Sequence, residues 1–216
     1  MITLYDLPVS SYGCKIRIVL RHKKIRYNSV KPPDGYGSLA YQNIVPSGTI
    51  PAIDHNGLIL AESEAIAEYL NEIQPKPPML PAKIEDRAQA RMLSRFHDFN
   101  LEPLIRNFFS QVPSSGRDPD FITKNARTLQ TRINQFAKMA NPKPLLTGSN
   151  LAIADCSIVP SFVILRCLQE HLDFQIEIPA HLVKYEKELN SHPSVTKEYH
   201  SYEVTIRDWA NSKKDN

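Results

Sequence analysis

Apolar and polar positions along this chain follow two different periods, and the change from one to the other divides it. Ile2-Thr3-Leu4-Tyr5 alternates and predicts a short strand, with Asp6-Leu7-Pro8-Val9-Ser10-Ser11 as the turn leaving it. From about Tyr12 to Lys23, Ile16, Val19 and Leu20 fall on one helical face, with Ile18 beside them. Tyr27–Val30 then supplies a second strand and completes a βαβ unit. Lys31 to Tyr41 carries Pro32, Pro33, Gly35 and Gly37 and reads as a loop. Two short apolar runs follow, Pro51-Ala52-Ile53 and Leu58-Ile59-Leu60. The Asp54-His55-Asn56-Gly57 turn between them predicts a hairpin, because Asn-Gly tolerates the positive φ such a turn needs. Ala65, Ile66, Tyr69 and Leu70 then form a helical stripe, with Ser63 expected as its N-cap and acidic residues in its first turn.

The stretch from Gln74 to Pro81 includes Pro75, Pro77, Pro78 and Pro81, which predicts a stiff linker between domains at 1–78 and 86–212. Beyond it the period is helical throughout. Ala88, Leu93, Phe96, Leu101, Leu104, Ile105 and Phe108 mark one long helix bent at Pro103. Phe121–Ala140 is a second, with Leu129, Ile133, Phe136 and Ala137 inward. Leu151–Leu172 is the third and most apolar, with Pro160 as a kink. Leu182–Leu189 and Ser194–Trp209 follow, and the tail Lys213-Lys214-Asp215-Asn216 is expected to fray. The result is a small α/β half followed by an all-helical half.

Composition narrows the classes. At 216 residues, 42% apolar and with only 7 glycines, the chain is long enough for two cored domains and suits a helix-rich protein. A net charge of +3 with scattered basic residues argues against nucleic acid. No apolar run approaches the roughly 18 residues that span a bilayer, and the start lacks the features of a signal peptide. Cys14, Cys156 and Cys167 lie far apart without metal-ligand spacing, so no metal is expected and a reducing cytoplasm is the expected compartment.

Two stretches carry candidate chemistry. Gly48-Thr49-Ile50-Pro51 ends in a proline at a strand mouth, where the bond is either an ordinary trans one or a cis one that turns the Ile50 backbone toward a partner. Glu62-Ser63 stands where a hydroxyl and free N–H groups at a helix start would hold a carboxylate. Ser10-Ser11-Tyr12-Gly13-Cys14 lies between the first strand and the first helix, where either serine suits as a cap worth about 1 kcal/mol.

This order of residues resembles the glutathione transferase family. The resemblance implies a thioredoxin-like α+β N-terminal domain followed by an all-α C-terminal domain. It implies that the Ile50 backbone, Pro51, Glu62 and Ser63 grip glutathione as co-substrate, with contacts from Thr49 and Tyr36. Leu4-Tyr5, Leu7-Pro8 and the two serines are similar to the delta and theta classes, and Lys15-Ile16-Arg17-Ile18-Val19-Leu20 to the zeta class. Counted from Leu4-Tyr5, the catalytic hydroxyl of these classes falls on Ser10, with Ser11 as the rival. Ser11-x-x-Cys14 occupies the place of the thioredoxin C-x-x-C, and its missing first cysteine argues against reductase activity. Cys14 is expected as a small buried hydrophobe.

The implied reaction joins the glutathione thiolate to a small electrophile, in a C2 homodimer. A zeta-like isomerase is an alternative, although Tyr12 stands where the zeta pattern has cysteine. A transferase-fold binding protein without turnover is another. Arg95, His97, Asn100 and Arg106 either line an electrophile pocket or form a solvated helix face. In the family the third long helix carries Ser or Thr three residues before Asp155; here it is Ala152, and Ser149 or Asn150 would have to compensate. His55 is expected in an exposed turn.

Overall fold

The structure is a computed structural model describing residues 1–213, so the last three residues of the expected frayed tail lie outside it. The chain divides into two units, Met1–Met79 and Leu80–Asn216.

In the first unit β1 (Ile2–Tyr5), α1 (Ser11–His22) and β2 (Tyr27–Val30) form the expected βαβ unit, with β1 and β2 parallel. A four-residue helix α2 (Leu39–Gln42) follows, then β3 (Ala52–His55), β4 (Leu58–Leu60) and α3 (Ser63–Ile73). The sheet order is β2-β1-β3-β4, with β3 antiparallel to both neighbours. Asn56 and Gly57 make the hairpin turn at φ 56° and 89°, the positive pair a two-residue loop requires. Tyr5 and Ala52, paired across β1 and β3, pack with Tyr41 and Val45 from the α2 segment. Leu4 and Ile53 point the opposite way, as the strand period demands, and both are fully buried. Cys14 is buried as expected.

Three local expectations are corrected. The loop from Lys31 to Tyr41 is interrupted by α2, because the Ser38 hydroxyl accepts the Tyr41 N–H at 3.1 Å and caps a turn of helix. Ser63 is the first residue of α3; the cap position is Glu62, at φ 67° and ψ 109°, whose carbonyl accepts the Ile66 N–H. His55 ends β3, and its Nδ1 lies 2.7 Å from the Tyr69 hydroxyl.

Lys23 is 2% exposed at the end of α1. Its ammonium donates to Asn71 Oδ1, the Gln74 carbonyl and the Pro77 carbonyl at 2.5, 2.8 and 2.5 Å, fastening the proline-rich segment to the unit it leaves.

The second unit is helical: α4 (Ile84–Phe96), a π segment (His97–Leu101), α5 (Glu102–Asn107), a 3₁₀ turn (Phe108–Gln111), α6 (Pro119–Met139), α7 (Ile153–Leu172), α8 (Ala180–Ser191) and α9 (Pro193–Ser212). The single long helix expected across 88–108 is therefore not continuous α. Pro103 has no N–H to return to the Phe99 carbonyl, and the chain meets that loss by widening the preceding turn. Glu102 N–H donates to the His97 carbonyl, five residues back. Helix α7 is buried nearly all round, as its apolar run anticipates. At its start Asp155, 0% exposed, accepts from the Ala152 and Leu146 N–H groups at 2.8 and 3.1 Å and from the Tyr185 hydroxyl at 2.9 Å. A cap hydroxyl at position 152 would accept the Asp155 N–H, which here donates to the Ala152 carbonyl at 3.1 Å; Ser149 and Asn150 are exposed.

Candidate functional site

The strand register fixes where the candidate residues lie. Tyr5, the last residue of β1, pairs with Val30, the last of β2, and with Ala52, the first of β3. Leu60, the last of β4, pairs with Ile53. The chain therefore leaves β1 toward Ser10 and Ser11, leaves β2 toward Tyr36, enters β3 from Thr49-Ile50-Pro51, and leaves β4 toward Glu62-Ser63, all at one end of the sheet. Segments far apart in sequence meet there because parallel β1 and β2 share a direction while antiparallel β3 begins where they finish.

At this end Ser10 caps α1, its hydroxyl oxygen accepting the Gly13 N–H at 3.0 Å. That bond uses a lone pair and leaves the Ser10 proton available to a ligand. Ser10 is half-buried, whereas Ser11 is 5% exposed. Gly13 is required for space: a Cβ there would lie 1.9 Å from Asp6 Oδ1, and that carboxylate pairs with Arg17.

The Ile50–Pro51 bond is cis, as are Lys76–Pro77 and Lys143–Pro144. Tyr41 supports this loop from beneath, its hydroxyl donating to the Thr49 carbonyl at 3.0 Å. Burial raises that phenol to about 12, so it stays a donor. The Thr49 hydroxyl lies 2.8 Å from that of Ser47. Tyr36 is 64% exposed on its loop.

Glu62 holds a positive φ, uncommon for a residue with a Cβ and concentrated at ligand clamps. Ser63, 8% exposed, turns its oxygen toward the Lys15 ammonium at 3.4 Å. Lys15 also pairs with Glu64 at 2.5 Å and is itself 0% exposed. Sequence reasoning gave Lys15 no role beyond the zeta-like stretch it opens, yet a signal was present: with Ile16, Val19 and Leu20 it occupies the apolar face of α1.

The electrophile candidates separate. His97 is 1% exposed, with Nε2 2.7 Å from Ser161 Oγ and Nδ1 2.9 Å from Asp98 Oδ1, so it belongs to the bundle interior and not to a solvated face. It lines an apolar cavity there with Leu101, Phe136 and Leu165. Arg95 lies over the Phe99 ring at 4.4 Å, and Arg106 pairs with Glu102. Among the described residues there is no group of three or more His, Cys, Asp and Glu suited to a metal ion, and no helix long and apolar enough to cross a membrane.

A small mixed sheet with α1 and α3, followed by an all-helical unit, defines the glutathione transferase fold. Residues 4–78 match the family model for the glutathione S-transferase N-terminal domain. A probable glutathione S-transferase from Nicotiana plumbaginifolia is 30% identical, the match covering 74% of this chain and 71% of the relative. Maleylacetoacetate isomerase from Rattus norvegicus is 34% identical, over 73% of this chain and 74% of the relative. A rice glutathione transferase solved in complex with glutathione superposes with a TM-score of 0.82 at 20% identity, covering 98% of this chain and 95% of that one. The chain belongs to the glutathione S-transferase family.

Proposed function

We propose that this chain is a serine-type glutathione transferase that conjugates the glutathione thiolate to a small electrophile. The observation carrying this reading is the shared sheet end at which Ser10, the cis Ile50–Pro51 loop and Glu62-Ser63 converge. The Ile50 backbone and Pro51, with Thr49, would hold the cysteinyl backbone. Glu62 and Ser63 would hold the γ-glutamyl end, and Tyr36 would reach the glycyl end. The thiol needs only to lose its proton: a free cysteine-like thiol has a pKa near 8.5, and lowering it by about two units takes roughly 2.7 kcal/mol. One charge-assisted hydrogen bond together with a helix N-terminus supplies that order of energy. The accessibility of Ser10 and the burial of Ser11 favour Ser10 as the donor to sulfur.

A cytoplasmic homodimer belongs to the same proposal. Ile84, Ala88, Met92 and Phe99 share one face of α4 and the π segment, and all are exposed. Ile84 and Phe99 are 70% and 65% exposed, an apolar face suited to burial against a second copy of the chain.

Retention on immobilised glutathione, followed by conjugation of an aryl halide, tests the reading. Retention with turnover is expected; retention without turnover would make the chain a binding protein, and no retention would overturn the proposal. The 34% identity to the rat isomerase favours one second reading, a zeta-like isomerase, which glutathione-dependent turnover of maleylacetone would establish.

A further inference from the structure

We propose that Lys15 is a positioning residue for Ser63, fixing the Ser63 hydroxyl as a donor toward the γ-glutamyl carboxylate of glutathione. The inference rests on the role given to Ser63 above and adds a residue that touches no ligand. An ammonium is costly to take out of water unless it is paired, so a lysine at 0% exposure needs a reason to be there. Its partners supply one: Glu64 Oε2 at 2.5 Å and Ser63 Oγ at 3.4 Å, both in the first turn of α3.

The chemistry of the two groups sets the direction of the hydrogen bond. A lysine ammonium has three donors and no acceptor, so Ser63 receives a proton from Lys15 and cannot return one. The Ser63 proton must then point elsewhere. The neighbouring N–H groups of the α3 start are themselves donors without intrahelical partners, so they attract the same anion. Glu64 neutralises most of the Lys15 charge at a distance, which leaves orientation of the hydroxyl as the larger effect. Helix α1 thereby governs two hydroxyls: Ser10, which it carries as its own cap, and Ser63, which it steers through Lys15.

Calorimetry with two ligands tests this. One is glutathione, and the other is an analogue whose γ-glutamyl carboxylate is an amide. Lys15→Met is expected to weaken glutathione about tenfold, the scale of one hydrogen bond to a charged group, while changing the amide analogue less than about twofold. In a Ser63→Ala background the Lys15→Met loss should vanish, and Lys15→Arg should retain most of the affinity. Equal losses for both ligands, or a loss that persists without the Ser63 hydroxyl, would make Lys15 a structural strut and overturn the inference.

Should Lys15→Met fail to fold, Lys15→Met combined with Glu64→Gln, which removes both charges of the buried pair together, serves instead. It is expected to weaken glutathione several-fold relative to Glu64→Gln alone, with the amide analogue changed less than about twofold; no difference, or an equal change in both ligands, counts against the proposal. Failure of the wild-type protein to bind glutathione would defeat the functional reading itself, a different outcome from any of these.

Discussion

The phenol of Tyr185 on α8 stands 2.9 Å from Oδ1 of Asp155 at the start of α7, and the two residues are 1% and 0% exposed. Burial pushes the Asp155 carboxyl up to about 6, against the pull of hydrogen bonds from Ala152, Leu146 and Tyr185. The pair shows how the fold satisfies a buried carboxyl at a helix start, with a phenol donated from 30 residues away.

That pair has a pH signature. Between the ordinary value of 3.8 and the folded value of about 6, the folded chain keeps a proton that the unfolded chain has released. Stability from this group therefore falls as pH rises through that window and is level above it. Tyr185→Phe removes a donor, pushes the carboxyl higher and extends the falling limb. Denaturant unfolding should show a deficit of about 1.5–3 kcal/mol at pH 7.5 and a smaller one at pH 5. A deficit independent of pH would separate the phenol from the charge.

Ser10 combines a cap with a proposed catalytic hydroxyl, and the two separate by choice of substitution. Glycine caps nearly as well as serine, costing a few tenths of a kcal/mol, whereas alanine costs about 1 kcal/mol. Ser10→Gly is therefore expected to keep the thermal midpoint within about 2 °C while the bound thiol returns toward its free pKa near 8.5. Ultraviolet titration of bound thiolate measures this. An unchanged titration in both variants would remove Ser10 from the chemistry.

Gly13 is held by contact and not by conformation. In Gly13→Ala the new methyl would displace the Asp6 carboxylate, which is 3% exposed, from Arg17. A loss of about 2–4 kcal/mol is expected in unfolding experiments, with part recovered by adding Asp6→Ala. A neutral effect would mean that the turn between β1 and α1 yields more easily than this packing implies.

The exposed face of α4 gives the assembly test. Phe99→Glu should convert a dimer to a monomer in sedimentation experiments, since a buried unpaired carboxylate at a subunit contact costs several kcal/mol. A wild-type chain that is already monomeric would end that part of the proposal.

The elements of the first unit were legible because their signals are local. The alternation of Ile2–Tyr5, the Asn56-Gly57 pair and the stripe of α3 each fix structure within a few residues. Ser63 was misplaced by one position because the positive-φ backbone at Glu62, a residue with a Cβ, leaves no mark on composition. The π segment was illegible for a related reason: Pro103 announces a break in the hydrogen-bond ladder but not which turn absorbs it. Lys15 figured only within a stretch similar to the zeta class, Lys23 only as a helix end, and His97 as a residue of an electrophile pocket or of a solvated helix face. Each is buried by partners about 50 or more residues away, and no window of sequence contains that information.

The sheet has a second rim. Ile2 begins β1 beside His55, and the Met1 ammonium lies 3.4 Å from Asn56 Oδ1 on the exposed hairpin tip. A tether, dye or fusion partner attached at Met1 or spliced between Asn56 and Gly57 would hang from the side facing away from Ser10 and Pro51. The strand length keeps such cargo apart from the edge proposed to hold glutathione, which makes this rim the natural handle for immobilising the molecule.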